Sequence, residues 1–295
     1  MGVHSITVLT PPYNRAAMLR DLYASLVAQT SRDFCWRVVV DGSVDETEAL
    51  VRSLQAEGLL DITYIRQENR GKYVAHNTGV LHANTELIVC VDSDDLLYPH
   101  AIEATLSLWQ QVRGDGQIAG IVSPKEMGET SYMKEPPRES SLMELYNRGH
   151  LVGETMLVFR REVLAEYLFP EVAGERFMSE CVVYHQIDRH YRLAVQNEYL
   201  YRAAYQEDGL TRNIRSIQWR NPRSTLIMYR AIAAWQTDLL AACKAYGAYL
   251  AWKRERGLPP CRLFPIRPHV AVAGLLLVPH YRRIFRREEK QYGQS

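Results

Sequence analysis

Three aspartates stand within four residues, directly after an apolar stretch of the chain. Asp92, Asp94 and Asp95 follow the run at 87–91. Carboxylates this close repel one another unless a cation neutralises them. Hard oxygen ligands in this position suit Mg²⁺ or Mn²⁺, held in part by the phosphates of a bound ligand. The alternative interpretation is a solvated acidic turn in which Asp95 caps the helix that follows.

Positive charge is concentrated in another short segment of the same half. Arg70 and Lys72 stand on either side of Gly71, and they offer cations beside a flexible backbone of the kind that binds a diphosphate. The same residues are equally typical of a turn between a strand and a helix with a solvated lysine. Both interpretations stay open for this segment taken alone.

Two more side chains could contact a nucleotide. Asp41 ends an apolar stretch immediately before Gly42, where a carboxylate can accept a hydrogen bond from a base or a ribose. Asp45 is more typical of a helix N-cap. Tyr13 could stack on a nucleobase, and the alternative is that its ring simply packs against the protein.

All of these residues follow short β-branched runs that alternate with amphipathic helical patterns. The patterns predict strands at 5–9, 36–41, 62–67, 87–92 and 118–123, and helices at 17–29, 45–57, 73–83 and 100–112. This alternation predicts an α/β fold in which helices cover both faces of a parallel sheet. Ligands of open α/β sheets bind at the carboxyl ends of the strands, and the polar residues stand at those ends.

The second half of the chain is less regular. Residues 125–148 are rich in Pro, Gly, Ser and Glu, which predicts a long irregular segment of the kind that forms lids or binding loops. Strands are predicted at 154–160 and 193–195, with a short helix and a helix near 179–191 between them. Pro222 suits the first turn of a helix, the spacing of 223–256 predicts helix without an internal break, and Gly257 is a typical end.

The composition excludes several classes of protein. Of 295 residues, 47% are hydrophobic and 23% are charged, which excludes disordered, collagen-like and disulfide-scaffold chains. The formal charge of +1 gives no overall field to attract nucleic acid. Five widely spaced cysteines without a C-x-x-C pair indicate neither a disulfide framework nor a zinc site. No signal-peptide pattern is present and the apolar run at 270–278 is too short to span a bilayer, so we expect a cytoplasmic location.

Basic residues are concentrated towards the C-terminal end. Residues 251–295 hold ten Lys or Arg and three Asp or Glu, a net charge of +7, whereas residues 1–250 have a net charge of −6. Four arginines follow the apolar run at helical spacing, a pattern typical of a segment that rests on an anionic membrane surface: Arg282, Arg283, Arg286 and Arg287. The alternative is that the apolar run packs against the rest of the protein while the arginines are solvated.

Taken together, the polar segments resemble the family 2 glycosyltransferases, which have the GT-A fold and bind a nucleotide sugar. The resemblance covers residues 5–110 and rests on four segments in the family's order and spacing: Thr10-Pro11-Pro12-Tyr13-Asn14-Arg15, Val38-Val39-Val40-Asp41-Gly42-Ser43-Val44-Asp45, Gln67-Glu68-Asn69-Arg70-Gly71-Lys72 with Ala75-His76-Asn77-Thr78-Gly79, and Asp92-Ser93-Asp94-Asp95. It implies a Rossmann-like, nucleotide-sugar-binding domain with a mostly parallel central sheet, followed by a C-terminal helical appendage.

The resemblance also implies a division of the chain. We expect a GT-A catalytic domain at 1–215 and a helical extension with a basic tail at 216–295. Within the catalytic domain, 1–125 would form the nucleotide-sugar-binding half and 126–215 the acceptor half.

Roles for the donor site follow from the same resemblance. It implies that Pro11, Tyr13 and Asp41 surround the nucleobase and ribose, usually of a UDP-sugar. Where the family often has two aspartates before Gly-Ser, the first is here Val40. The Asp-x-Asp region binds the ribose and the divalent cation, and its matching residues are Asp92, Asp94 and Asp95, with Asp94 and Asp95 expected as metal ligands. The cationic residues that fall near the diphosphate are Arg70 and Lys72.

The resemblance places a catalytic base in the second half of the chain. Family members carry a Glu-Asp or similar pair at the start of a helix, and the corresponding residues here are Glu180 and Cys181. Glu180 is therefore the candidate base, with Cys181 in place of the aspartate. The alternative is that Glu180 only satisfies the dipole of a helix in its first turn. His185 and Asp188 are weaker contenders that could simply lie on the helix surface.

The predicted function is metal-dependent, inverting transfer of a sugar from a nucleotide donor, expected to be a UDP-sugar, to a hydroxyl of a glycan or glycolipid in polysaccharide or cell-surface glycan synthesis. Its partners would be the donor, the glycan or lipid-linked acceptor and an anionic membrane surface on the cytoplasmic side. One alternative is a catalytically inactive nucleotide-sugar-binding subunit. Another is a sugar-phosphate nucleotidyltransferase, which needs a glycine-rich loop after strand one, whereas 10–15 contain no glycine.

Overall fold

The computed structural model describes residues 4–127, 131–203 and 210–292. These residues form two compact units. The first contains residues 1–168 and 190–205, and the second contains residues 169–189 and 206–295.

The first unit is built on a mixed β-sheet. The strands of this unit in chain order are β1 (Ile6–Thr10), β2 (Phe34–Asp41), β3 (Ile62–Gln67), β4 (Leu87–Cys90), β5 (Leu96–Leu97), β6 (Ile118–Glu126), β7 (Tyr132–Met133), β8 (Glu139–Ser140), β9 (Leu151–Val152), β10 (Thr155–Arg160), β11 (Arg192–Val195) and β12 (Tyr201–Arg202). Strands β7 and β9 pair with each other in a separate two-stranded sheet. The main path runs β3-β2-β1-β4-β10-β6-β11-β8, and β12 pairs with β5 and β6.

Helices cover both faces of this sheet. They are α1 (Ala16–Val27), α2 (Thr47–Glu57), α3 (Lys72–His82), α4 (Ala101–Val112), α5 (Leu142–Asn147) and α6 (Arg161–Glu166). The main core lies where α1, α2 and α4 pack on one face, around side chains such as Trp36, Trp109 and Leu22. Helix α3 packs against β1 and β2 and also contacts α6. The predicted α/β fold with helices on both faces is therefore confirmed.

The strand pairing explains why the N-terminal elements were predictable. Strands β3, β2, β1 and β4 are mutually parallel. Strands β1, β2 and β4 are almost wholly buried, which favours short apolar runs, whereas β3 lies at the edge of the sheet and is only partly buried. Beyond β4 the sheet becomes mixed, because β10 inserts antiparallel between β4 and β6.

Two expectations for the second half are wrong. Residues 125–148 are not irregular throughout, since they contain β7, β8 and α5, and β8 pairs with β11; residues 128–130 lie outside the described part. The helix expected over 223–256 is broken at 236–238. There the Asp238 side chain accepts a hydrogen bond from the backbone N–H of Ala241 at 2.6 Å and so begins a new helix.

The second unit is helical within its described residues. Its helices are α7 (Cys181–Ile187), α8 (Leu210–Arg220), α9 (Pro222–Trp235), α10 (Leu239–Glu255), α11 (Pro268–Leu275) and α12 (Val278–Tyr292). As predicted, Pro222 stands in the first turn of α9 and the chain turns at Gly257 with a positive φ of 60°. No helix among the described residues is both long and apolar enough to cross a membrane.

A buried carboxylate explains why residues 169–189 group with the C-terminal helices. Glu175 accepts hydrogen bonds from the backbone N–H groups of Arg223 and Ser224 at 2.8 and 2.7 Å, at the start of α9. Asn221 in turn accepts one from the backbone N–H of Arg176. The compact units thus divide the chain differently from the expected boundary at 215, and the assignment of donor and acceptor halves stays a prediction.

We predict that Glu175→Gln lowers the free energy of unfolding by about 1 kcal/mol, because the amide keeps an acceptor but loses the charge that interacts with the N-terminus of α9. Chemical denaturation measures the change. The matched control is Glu289→Gln, which alters an exposed carboxylate of the same unit and should leave the midpoint unchanged. Equal midpoints for both variants would contradict the capping role.

Candidate active site

The loops after β1 and β2 hold each other in place. The backbone N–H of Asn14 donates to Ser43 Oγ at 3.0 Å, and the backbone N–H of Val44 donates to Asn14 Oδ1 at 2.9 Å. Asn14 has a positive φ of 52°, which asparagine tolerates better than most residues. Asp45 accepts from the backbone N–H of Thr47, but Glu46 stands at the N-cap of α2 and no side chain caps that helix, so the N-cap interpretation of Asp45 is wrong. This edge of the sheet is therefore a set of interlocked turns.

Two residues expected at the nucleobase lie on the first of these turns. The Tyr13 side chain is 45% exposed, so part of its surface is accessible, and its stacking on a base stays a prediction. Pro11 is partly exposed and Pro12 is buried. Tyr13 thus has the accessible aromatic face that stacking on a base requires.

Asp41 is buried and organises the loop that follows β3. Its Oδ1 accepts hydrogen bonds from Gln67 Nε2 at 2.8 Å and from the backbone N–H of Arg70 at 2.9 Å, and its Oδ2 accepts from the backbone N–H of Gly71 at 2.8 Å. Gly42, next in the chain, has a φ of 70°, and an added Cβ would lie 2.5 Å from the backbone nitrogen of Asn69. The close approach of the two loops therefore requires glycine at this position.

Lys72 forms an ion pair with Asp92. Its Nζ lies 2.7 Å from Asp92 Oδ1 and 3.0 Å from Oδ2. Burial alone would raise the pKa of Asp92, but the positive charges of Lys72 and Lys125 outweigh it and hold that pKa below its usual value. Lys72, which was expected beside the diphosphate, therefore already forms an ion pair with Asp92, the first residue of the acidic turn at 92–95.

Asp95 is buried, and its carboxylate contacts Tyr201 and Lys125. The Tyr201 hydroxyl donates to Asp95 Oδ2 at 2.7 Å and accepts from the backbone N–H of Asp92 at 3.1 Å. Lys125 Nζ lies 3.8 Å from Asp95 Oδ2 and 4.3 Å from the centre of the Tyr201 ring. Burial, together with the charges of Asp92 and Asp95, raises the pKa of Tyr201 well above its usual value, so its hydroxyl stays a neutral donor.

The interpretation of Asp95 as a helix cap is wrong. The next helix, α4, begins at Ala101 after His100, and no side chain caps it. The carboxylate of Asp95 is instead held by Tyr201 and Lys125, which come from β12 and β6.

Asp94 differs from its neighbours. Burial and the charge of Asp92 raise its pKa, and no ion pair to Asp94 is formed among the residues that the structure describes. Nor do three His, Cys, Asp or Glu side chains converge as a ready metal site within those residues. The residues present therefore fit a cation held by one available carboxylate, with further oxygens from a phosphate-bearing ligand.

Sequence reasoning missed Lys125 and Tyr201. Lys125 stands near the carboxyl end of β6, so the rule that directed attention to the ends of the other strands would have found it. Tyr201 is 106 residues from Asp95 in the chain, and no local pattern signals that contact.

Glu180 lies in the second unit, immediately before α7. It stands at the N-cap position of α7, where its side chain is exposed and makes no capping hydrogen bond, so the base and the dipole interpretations both stay predictions. Burial raises the pKa of the Cys181 thiol to about 11, so this residue carries no charge where the family often has an aspartate. Burial also lowers the pKa of His185 to about 4, which leaves its imidazole neutral near pH 7.

Comparison with known proteins supports the resemblance. A model of glycosyl transferase family 2 matches residues 7–168. An uncharacterized glycosyltransferase of Nostoc sp. is 28% identical over 188 residues, which are 61% of this chain and 58% of that protein. The chain thus spans somewhat over half the length of this curated relative.

Solved structures share the fold at low sequence identity. Staphylococcus aureus TarS 1-349 in complex with UDP-GlcNAc gives a TM-score of 0.60 at 18% identity, covering 98% of this chain and 92% of that one. The mannosyltransferase PcManGT of Pyrobaculum calidifontis, in complex with GDP-Man and Mn²⁺, gives 0.52 at 19%, covering 99% and 84%. These likenesses confirm the GT-A fold. Because the family model covers more than half of the chain, this protein belongs to glycosyltransferase family 2.

Proposed function

We propose that this protein is a metal-dependent, inverting glycosyltransferase that moves a sugar from a nucleotide donor to an acceptor hydroxyl. The observation that carries the proposal is the acidic turn at 92–95. It lies at the carboxyl edge of the parallel strands and is bound to Lys72, Lys125 and Tyr201. Such an edge is where α/β sheets bind nucleotides.

The donor in this proposal is a nucleotide sugar. Its base would lie between Pro11, Tyr13 and Asp41, its ribose near Asp92, and its diphosphate towards the loop of Arg70 and Lys72. The structural relatives hold UDP-GlcNAc in one case and GDP-Man in the other, which supports the ligand class. We propose UDP as the nucleotide on the resemblance to the family.

A divalent cation, Mn²⁺ or Mg²⁺, would be held by Asp94 together with the donor phosphates. When bound, such an ion stabilises the negative charge that develops on the leaving diphosphate. Asp95 was expected as a second ligand, but its carboxylate already accepts from Tyr201 beside Lys125. We therefore propose Asp94 as the direct ligand and Asp95 as the residue that fixes the turn.

Glu180 is the proposed general base. Its carboxylate takes the proton of the acceptor hydroxyl while that oxygen forms a bond to the anomeric carbon from the face opposite the leaving group. The bond between the anomeric carbon and the diphosphate oxygen breaks, and the nucleoside diphosphate leaves with the electron pair. Because Cys181 is an uncharged thiol at neutral pH, Glu180 acts without the acidic neighbour that many family members have.

The acceptor in this proposal is a hydroxyl of a glycan or of a lipid-linked glycan, in polysaccharide or cell-surface glycan synthesis. We propose a cytoplasmic location, with the basic C-terminal end resting on an anionic membrane surface. The excess of basic residues in 251–295 supports this partner.

Two alternatives make different predictions. A catalytically inactive binding subunit would bind the nucleotide without turning over its sugars, and the uncharged Cys181 is the observation that favours it. A sugar-phosphate nucleotidyltransferase is disfavoured because the turn after β1 contains no glycine and uses Asn14 for its positive φ.

Nucleotide binding is the first test. Calorimetric titration with UDP, GDP, CDP and dTDP, with and without Mn²⁺, should give metal-dependent binding of one nucleotide. Asp94→Asn should weaken that binding about tenfold or more, since it removes the charge that holds the cation. Asp21→Asn, at an exposed aspartate of α1, is the control. Full affinity in Asp94→Asn would remove Asp94 from the metal site, and no binding of any nucleotide would overturn the proposal.

Turnover tests the base. Glu180→Gln should lower release of the nucleoside diphosphate from the matching sugar donors by about 10²–10⁴-fold, which is the usual contribution of a general base. Donor affinity should stay unchanged. Glu166→Gln, at an exposed carboxylate, controls for a general effect of charge. Unchanged turnover would exclude Glu180, and absence of turnover in the unmodified protein that binds nucleotide would favour the inactive subunit.

The Tyr201 hydroxyl should matter for both stability and binding. Tyr201→Phe removes the donor to Asp95, which costs about 1 kcal/mol of unfolding free energy, and it should weaken metal-dependent nucleotide binding in the same calorimetric experiment. Tyr199→Phe is the matched control, because the Tyr199 hydroxyl donates to the carbonyl oxygen of Ser131 away from the acidic turn. If both variants bind nucleotide equally well, Tyr201 does not position the turn.

A further inference from the structure

Three large aliphatic side chains protrude from the C-terminal helices. Val272, Leu275 and Leu276 are 68%, 58% and 82% exposed. Their spacing places them on one face of α11 and the turn that follows it. We call these three residues the apolar patch.

The opposite face of the same helices packs against α10. Val270 is buried in a cluster with Ala242 and Cys243 of α10. Further along, the Phe285 ring lies 5.0 Å from the Trp252 ring, centre to centre. The inward face therefore attaches α11 and α12 to α10, and the apolar patch contributes nothing to that attachment.

Of the four arginines that follow the apolar patch, two form ion pairs within the structure. Arg282 and Arg286 both bind the Glu255 carboxylate of α10. Burial alone would raise the pKa of Glu255, but the hydrogen bonds from these two arginines lower it. Half of the basic cluster therefore neutralises an acid within the unit.

Arg283 and Arg287 are exposed. Neither forms an ion pair with any residue in the described part of the chain. They lie one turn apart on α12, which follows α11 after the turn at 276–277. The exposed aliphatic side chains of α11 and its turn are thus followed in the chain by two exposed guanidinium groups on α12.

We infer that the apolar patch and the Arg283–Arg287 pair form a docking surface for an anionic lipid bilayer. The aliphatic side chains would enter the boundary between headgroups and acyl chains, and the guanidinium groups would bind lipid phosphates. This inference names the surface for the membrane partner and rests on that part of the proposed function. A second copy of the chain fits less well, because apposed copies would bring their arginines together.

The test measures binding of the full chain to vesicles by co-sedimentation. The unmodified protein should bind vesicles of phosphatidylcholine with phosphatidylserine better than phosphatidylcholine alone, and salt should weaken that preference. Leu275→Ser with Leu276→Ser should lower binding to both kinds of vesicle. Arg283→Gln with Arg287→Gln should lower binding to anionic vesicles about thirtyfold, the factor expected for two basic residues at roughly 1 kcal/mol each.

Matched controls come from the first unit. Leu59 and Leu81 are 57% and 58% exposed, so Leu59→Ser with Leu81→Ser removes two exposed leucines from another surface. Arg20→Gln with Arg138→Gln removes two exposed arginines that form no ion pair among the described residues. Both controls should bind vesicles like the unmodified protein.

Three results would overturn the inference, each in a different way. If the unmodified protein does not bind anionic vesicles, the membrane partner itself is wrong. If it binds and the patch and arginine variants bind equally well, another surface is used. If it is a dimer that the leucine variant dissociates, the patch is an interface between copies. Nucleotide titration is independent of all three, so failure of the donor site is distinguishable from failure of this surface.

Discussion

The acidic turn at 92–95 imposes the central constraint on this structure. Three carboxylates in one short turn repel one another unless opposite charge is brought to them. Lys72 pairs with Asp92, and Lys125 lies beside Asp95, whose oxygen also accepts from Tyr201. These partners come from α3, β6 and β12, so the turn is stable only when the surrounding sheet is assembled.

The proposed nucleotide-binding half, residues 1–125, does not contain every partner of the acidic turn. Residues 1–125 contain the four segments on which the resemblance over 5–110 rests, yet Tyr201 comes from a strand formed after β11. Strand β12 pairs with both β5, which follows the acidic turn, and β6. A fragment ending at 125 would lose the Tyr201 hydroxyl that donates to Asp95, so the acidic turn requires a residue from the later part of the first unit.

Sequence patterns predicted the strands and helices that are determined by a short stretch of the chain. Strand β3 and the end of β2 lie where the β-branched runs indicated. Strand β2 is buried along its whole length, and β3 is a partly buried edge strand that still carries a β-branched run. The antiparallel insertion of β10 and the contact of Tyr201 with Asp95 depend on pairings between distant residues, so no short window contains them. The break before α10 is different: Asp238 is a capping residue that the sequence displays, but the helical spacing on both sides concealed it.

The same physical division between neighbouring like charges recurs in both compact units. Asp94 and Asp95 are adjacent like charges, and the fold neutralises Asp95 internally while Asp94 keeps a raised pKa and no ion pair among the described residues. Arg282 and Arg283 are adjacent like charges as well, and Glu255 neutralises only the first. A charge count treats the members of each pair as equivalent, whereas an ion already satisfied inside the fold has little to gain from a ligand. The charged residues that lie outside such contacts are therefore the ones that gain most from binding a ligand.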